Sequence, residues 1–469
     1  MPHAYAIVSY DRPTLSSMIT FPSRRRRPVV IDLFAGAGGL SLGFEMAGFD
    51  VLSAVEYDPV HAATHLFNFP ATDVLCRDIR TVRASELIDS AQIGWDSHHP
   101  DGDEWDRNID VIVGGPSCQG FSVMGRQDLD DDRNQLIGEF VRIVEEIRPK
   151  AFCMENVPGF LSPRFEGLRN EAFDRLRTAG YSISGYEKPL LATEFGVPQK
   201  RRRVFVMGLL GDTAPLIPST FGSPVATVAD ALAGLPTLDD YESANDSGVI
   251  ELTSEDRRRL KVTTNAYLKF GDIQGLFGNR FGHERAFDDS RLSGCKKTMH
   301  KPESIQRFAN TAQGTTEKIS RAYRLSEKQA SNTLRAGTGR ERGAFSASRP
   351  IHPTEPRVIS IREAARIHSF PDWFRFHTTN WHGHRQIGNA VPPLLAASVA
   401  ATLLSALGIE PSKSKLGALK LGDETLLSLS PTTAEVIMKA ISAQVPRQRR
   451  REIAGRKTGP DAVNGENAA

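Results

Sequence analysis

The sequence predicts an α/β protein with a Rossmann-like parallel sheet, followed by a second, smaller domain. Three observations carry that reading. Short apolar runs alternate with helical stretches from Pro28 to about Leu210, and a glycine-rich turn follows the first run. Beyond Leu210 the alternation stops, and Gly, Ser, Thr and Arg accumulate in short, poorly periodic pieces. Val29 to Phe34 reads as a buried strand, Ala35 to Gly39 as a tight turn, and Leu40 to Ala47 as an amphipathic helix. Further strands are expected at Val51–Glu56, Thr72–Cys76, Asp110–Val113 and Ala151–Met154, with a helix at Asn134–Ile147 and another apolar run at Val204–Gly208. The polar piece Asp96–Arg107 reads as a surface insertion. Helical periodicity returns at Ile361–His368 and at Leu394–Leu407, where Leu395, Val399 and Leu403 recur at four-residue spacing before Gly408. Pro392-Pro393 interrupts this uncharged stretch before it reaches the ~20 apolar residues of a membrane span.

Composition narrows the function classes. The 469 residues are 40% hydrophobic and 24% charged, which excludes a collagen-like or wholly disordered chain. Four scattered cysteines exclude a disulfide framework, and the lack of a C-x-x-C pair argues against zinc, so no metal is expected. The start, MPHAYAIVSYDRP, lacks the pattern of a secretory signal, so a cytoplasmic protein is expected. A net charge of +2 leaves nucleic-acid contact to local patches. The expected organisation is a basic, mobile arm over 1–27, a catalytic domain over 28–211 completed by 385–410, a second domain and hinge over 212–384, and a basic, partly disordered tail over 411–469.

A strand, a glycine turn and a helix let a backbone approach a nucleotide-like ligand at the carboxyl edge of a parallel sheet. Gly36-x-Gly38-x-x-Ser41 is a weak fingerprint alone, and support comes from Glu56, twenty residues after Gly36, placed to accept a ribose diol. Asp78-Ile79, past the third strand, offers an acceptor and an apolar face to an adenine. After the fourth strand, Gly114-Gly115-Pro116-Ser117-Cys118 puts a thiol at the same edge, where its thiolate would be a nucleophile. Glu155 ends the fifth strand, where burial would raise its pKa and let it hold a proton for a ring nitrogen. Strand alternation puts Arg201 and Arg203 on one face, pointing into the cleft. Cys76 and Cys153 read as packing residues, and Cys295 has no catalytic context.

Taken in order, these blocks resemble the DNA (cytosine-5)-methyltransferases: Asp32 to Gly39, Glu56, Asp78-Ile79, Ser117-Cys118-Gln119, Glu155-Asn156-Val157 and Gln199 to Arg203. Arg362-Glu363, Ser369-Phe370-Pro371 and Gln386 to Pro392 continue the series. The resemblance covers about Pro28–Leu210 and Arg357–Leu407, and implies a Rossmann-like, S-adenosylmethionine-dependent catalytic domain with a target-recognition domain. It further implies that Phe34, Gly36, Gly38, Gly39, Glu56, Tyr57, Asp78, Ile79, Asn389 and Ala390 hold the methyl donor. Cys118 would be the nucleophile, Glu155 the group at cytosine N3, Arg203 the contact to O2, and Arg201 a support for loop and base. Gln119, Ser122, Arg133 and Gln199 would meet duplex DNA. Two departures stand out: Ser117 where the family usually has Pro, and Asn134 where it commonly has Gly.

Between the arginine cluster and Arg362, the stretch Glu255–Lys301 holds eleven Lys/Arg against six Asp/Glu, interleaved with Tyr267, Phe270, Phe277, Phe281 and Phe287. Arg257, Arg258, Arg259, Lys296 and Lys297 are the expected phosphate contacts. Three rivals stand beside this reading. A nicotinamide-dependent oxidoreductase leaves Cys118, Glu155 and Arg203 unexplained; the second is a non-catalytic DNA-binding relative, and the third an RNA cytosine-5 methyltransferase. The resulting expectation is a monomeric bacterial modification enzyme, with any cognate restriction endonuclease acting independently.

Overall fold

The apolar runs become the strands of one large sheet and its rim: β1 (Val29–Leu33), β2 (Asp50–Glu56), β3 (Asp73–Cys76), β4 (Val111–Gly114), β5 (Ala151–Asn156), β6 (Tyr181–Ser184), β7 (Leu190–Leu191), β8 (Gln199–Lys200) and β9 (Arg202–Leu210). The computed structural model describes residues 27–116, 135–220, 225–263, 281–337 and 349–443. The sheet order is β3-β2-β1-β4-β5-β9-β6, with β7 also pairing β9. Strands β1 to β5 pair in parallel. The expected all-parallel sheet is corrected at its far side, where β9 runs antiparallel to β5, β6 and β7. A strand buried on both faces reads as the same apolar run in either direction, so sequence pattern cannot reveal this reversal.

Helices α1 (Gly39–Ala47), α2 (Pro59–Asn68), α3 (Ala84–His98), α4 (Gln135–Ile147) and α5 (Glu166–Thr178) follow the strands. Helix α3 is not among the expected elements, and the polar insertion begins only at its last turn. On one face α3, α4 and α5 pack on Ile31, Leu33, Leu52, Ile112 and Phe152. After α6 (Val228–Leu232), α7 (Ser254–Thr263), α8 (Pro302–Ala309), α9 (Ile361–Ile367) and α10 (Asn380–Asn389), the chain returns as α11 (Pro393–Leu407) to cover the other face with α1. A Cβ on Gly43 would lie 2.3 Å from that of Ala396, so α1 and α11 touch backbone to backbone. The stretch Asn380–Leu407 has the length and apolarity to cross a membrane, but 72% of its apolar window is buried inside the protein, chiefly α11.

Residues 225–337 build a small core of their own from Leu238, Ala244, Ile250, Leu260, Leu292 and Cys295. Val228, Leu325, Leu334, Phe370 and Phe374 instead join the apolar cluster of the main sheet. One expectation for the ends is corrected. Arg27, placed in a solvated arm, is buried: its Nε meets Asp50 Oδ1 at 2.6 Å and its Nη1 donates to the Phe281 carbonyl at 2.6 Å. Residues 1–26 lie outside the described residues. Beyond Pro411 the described chain includes α12 (Pro431–Ala443), which packs on α2 and β3 with Ala434 and Met438 fully buried; residues 444–469 lie outside the described residues.

Candidate active site

The glycine turn takes its shape from positive φ values: 63° at Phe34, 56° at Gly36 and 104° at Gly38. Left-handed backbone favours glycine because a Cβ there crowds the carbonyl. Space sets a second demand. A Cβ on Gly38 would lie 2.3 Å from the Phe69 ring, and one on Gly39 would lie 2.4 Å from the Val391 carbonyl oxygen. Above Gly36 nothing lies within 4 Å, so the turn is walled by α2 and Val391 and open at Gly36.

Glu56 closes one side of that opening. Its Oε2 accepts the Gly36 N–H at 2.7 Å and its Oε1 accepts the Asp58 N–H at 2.7 Å. A carboxylate has about four lone-pair sites, so acceptor capacity remains for a diol. Burial raises the Glu56 pKa to about 7, reinforced by the Asp58 charge and opposed by these two N–H groups. Asp58 caps α2 at Val60 and His61 and pairs with Arg385 at 3.2 Å. Beneath the turn, the Ser41 hydroxyl donates to Asp32 at 2.6 Å and lies 3.0 Å from His65 Nε2. Burial raises Asp32 to about 7 and lowers His65 to about 3, so His65 is neutral and its Nε2–H faces the Ser41 oxygen.

The other expected cofactor residues surround this opening. Phe34 is half-buried, Tyr57 is 74% exposed and Ile79 is buried. Asp78 bonds Arg80, whose Nη2 lies 2.6 Å away, so a ligand amino group would displace that pair. Asn389 is exposed at the end of α10, and the Ala390 carbonyl accepts from Arg201 at 2.8 Å and from His368 Nε2 at 3.0 Å.

At the end of β5, Glu155 Oε1 meets Arg203 Nε at 2.7 Å, and both side chains are nearly buried. Burial pushes the Glu155 carboxyl up, opposed by Arg203 and then Arg201. A Cβ on Gly115 would sit 2.9 Å from Glu155 Oε2, so the Gly114-Gly115-Pro116 segment runs against this carboxylate. Cys118, Gln119, Ser122 and Arg133 lie outside the described residues, as do Ser117, Asn134, Tyr267, Phe270 and Phe277.

Two expectations are corrected here. Arg201 does not point into the cleft with Arg203; it is fully buried and donates to the carbonyls of Leu334 at 3.0 Å, Gly388 at 2.9 Å and Ala390. Arg201 falls in the break between β8 and β9, so strand alternation does not run through it. Gln199 does not face DNA. Its buried amide lies 2.9 Å from His368 Nδ1 and accepts the Leu334 N–H at 3.0 Å.

The basic residues of the second domain differ in freedom. Arg257, Arg258 and Arg259 lie along exposed α7, within ion-pair reach of Asp289, Glu255 and Asp256. Lys297 is largely covered and bonds Asp239 at 2.6 Å, and Lys296 packs on Gly248. Phe281 is half-buried and Phe287 exposed. Cys76, Cys153 and Cys295 are buried, and burial pushes each thiol up, to about 12 for Cys76 and Cys295, so none is a ready nucleophile. Among the described residues, Asp50, His98 and His283 have metal-ligand spacing, but the Arg27 guanidinium already supplies a cation to Asp50.

Residues 29–405 match the family model of the C-5 cytosine-specific DNA methylases. The chain belongs to that family. It is 43% identical over 429 residues to the type II methyltransferase M.XorII of Xanthomonas oryzae pv. oryzae, covering 90% of this chain and 95% of that one. It is 32% identical to M.AgeI of Thalassovita gelatinovora, covering 80% and 99%. A solved structure of a prophage-encoded protein of E. coli, described as a DNA modification methyltransferase, is similar at a TM-score of 0.59 and 35% identity, covering 81% and 99%. This C-5 cytosine-specific methylase therefore acts on DNA cytosine at C5 and has relatives in type II modification. Asp58, His65, His368 and Arg385 also support its site and are absent from the expected set, whereas Ser41 closes the expected glycine fingerprint; of the four, Asp58-Pro59, a cap followed by proline, carries a sequence signal.

Proposed function

We propose that the enzyme transfers a methyl group from S-adenosylmethionine to C5 of a cytosine flipped out of a specific duplex DNA site, through a covalent Cys118–C6 adduct. The observation that carries this reading is the buried Glu155–Arg203 pair, which lies at the carboxyl edge of the sheet with the segment leading to Cys118 against it. The open glycine turn, the spare lone pairs of Glu56 and exposed Asn389 fit the methyl donor. When bound, that donor supplies an electrophilic methyl group.

The residues of the chain do the rest. Attack of the Cys118 thiolate on C6 makes C5 electron-rich, which splits one difficult step into easier ones. Glu155, whose carboxyl burial pushes up, is placed to donate a proton to N3, and Arg203 stabilises charge at O2. Once C5 carries the methyl group, its proton leaves to solvent, the N3 proton returns to Glu155, and the Cys118 thiolate departs as the C5–C6 double bond re-forms. None of this is possible inside a base stack, so the cytosine leaves the duplex at a cost of a few kcal/mol.

Residues 212–384 would read the target, with Arg257, Arg258 and Arg259 at phosphates. Exposed α7 supports that role, whereas the engaged Lys297 supports it less. We assign the enzyme to the bacterial cytoplasm as a monomeric modification enzyme whose cognate endonuclease, where one exists, acts separately.

The test is a duplex oligonucleotide bearing 5-fluorocytosine at the cognate position, identified by bisulfite sequencing of DNA from expressing cells. A stable adduct mapping to Cys118 is expected, with none on the matching RNA. Undiminished turnover by Cys118→Ala overturns the mechanism.

A further inference from the structure

Beyond residue 405, where the match to the family model ends, the chain does not leave the cofactor site behind. Strand β3 is the edge of the sheet, and its last N–H, that of Cys76, donates to Ser442 Oγ of α12 at 2.8 Å. The Cys76 thiol in turn points to the Tyr57 carbonyl at 3.9 Å, and Arg77 N donates to the Glu56 carbonyl at 3.1 Å. These bonds tie the two turns carrying Tyr57 and Asp78 to each other and to the end of α12. Met438 is fully buried in a cluster with Ala35 of the glycine turn, Ala54, Ala62, Ala63, Val74 and Cys76.

We propose that α12 is a built-in wall of the adenosine pocket, with Ser442 and Met438 as positioning residues for the turns that grip adenine and ribose. The proposal rests on reading the glycine turn as the S-adenosylmethionine site. An edge strand exposes unpaired N–H and C=O groups and is free to shift unless something covers it. Here a polar cap from Ser442 and an apolar knob from Met438 fix the edge that carries Asp78. The helix packs on α2 and β3, whereas Glu155 ends β5.

The experiment uses the full chain with Ser442→Ala, Met438→Ala and, as a control on the pocket, Glu56→Ala. Binding of S-adenosylmethionine and of adenosine is measured by calorimetry, with steady-state methyl transfer alongside. Loss of one part-buried hydrogen bond predicts up to about a fivefold weaker affinity for Ser442→Ala, and the cavity at Met438 predicts a larger loss. Adenosine should weaken by the same factor as the whole cofactor. KM for S-adenosylmethionine should rise while kcat and the affinity for DNA stay as in the parent, a split that general loosening of the fold would not produce. Cofactor affinity unchanged in Ser442→Ala, with Glu56→Ala impaired, overturns the role of α12. Glu56→Ala binding as the parent does removes the pocket assignment itself, and the wall with it. Should Met438→Ala fail to fold, Ser442→Ala alone decides.

Discussion

Arg201→Leu gives a direct test of whether the second arginine of the cluster serves the cleft or the framework. In the structure its guanidinium, buried completely, joins three carbonyls: Leu334, Gly388 at the end of α10, and Ala390 beside the glycine turn. His368 still serves the Ala390 carbonyl once Arg201 is gone, so the Leu334 and Gly388 carbonyls bear the loss. A hydrogen bond from a charged donor contributes about 1.5–3 kcal/mol, and a buried acceptor left without a partner costs about 1–3 kcal/mol. Two such losses, partly offset by the apolar leucine, destabilise the fold by about 4 kcal/mol. At roughly 2–4 °C per kcal/mol, the melting temperature falls by about 10 °C. Thermal denaturation without ligands, followed by circular dichroism, measures this, with DNA affinity determined well below the transition. Arg201→Lys, whose ammonium can serve fewer of the carbonyls, should fall between. A leucine variant melting within about 2 °C of the parent while losing DNA affinity would place Arg201 at the cleft and refute the framework role.

Four further outcomes follow from the same geometry. Glu56 must be ionised to accept a diol and has its pKa raised to about 7, so cofactor affinity should climb as pH rises through 7, a dependence absent in Glu56→Gln. The same raised pKa means that its contribution to stability without ligand is full below the unfolded value of about 4.3 and is lost as pH rises through 7; the melting difference between parent and Glu56→Gln between pH 5 and 8 should show that sign. Gly39→Ala brings a Cβ to 2.4 Å from the Val391 backbone, and calorimetry should show at least a tenfold loss of cofactor affinity, whereas Gly36→Ala meets no neighbour and carries only the left-handed strain of about 1–2 kcal/mol. Replacing Arg257 and Arg258 by Gln should weaken DNA binding to all sequences alike and flatten its salt dependence by about 0.9 for each phosphate no longer neutralised; a uniform loss at every salt concentration contradicts a role at phosphates.

Much of the catalytic half is legible in the chain itself. The first five strands follow from buried apolar runs, and the glycine turn from residues that tolerate positive φ and close approach. Glu56 and Glu155 stand out because strand ends converge on one edge of a parallel sheet, which makes position along a strand a statement about place. Arg201 is misplaced by sequence reasoning for a related reason: strand alternation is extended across a break that only the fold reveals, and Gln199, given to DNA by the resemblance, lies in β8 just before that break. Arg27 groups by sequence with three neighbouring arginines, yet Asp50 and the Phe281 carbonyl, which lie far off along the chain, hold it.

The sequence by itself determined the α/β class, the glycine turn at the carboxyl end of β1, and the residue types at that edge of the sheet, because these depend on local backbone geometry and strand periodicity. The tertiary structure decided the antiparallel return of β9, the burial of Arg201 and Gln199, and the docking of α12 on the edge strand. Each of those rests on contacts between segments tens to hundreds of residues apart, such as Arg201 with Leu334 or Cys76 with Ser442. Periodicity records which face of an element is apolar, and only the folded chain settles what that face meets.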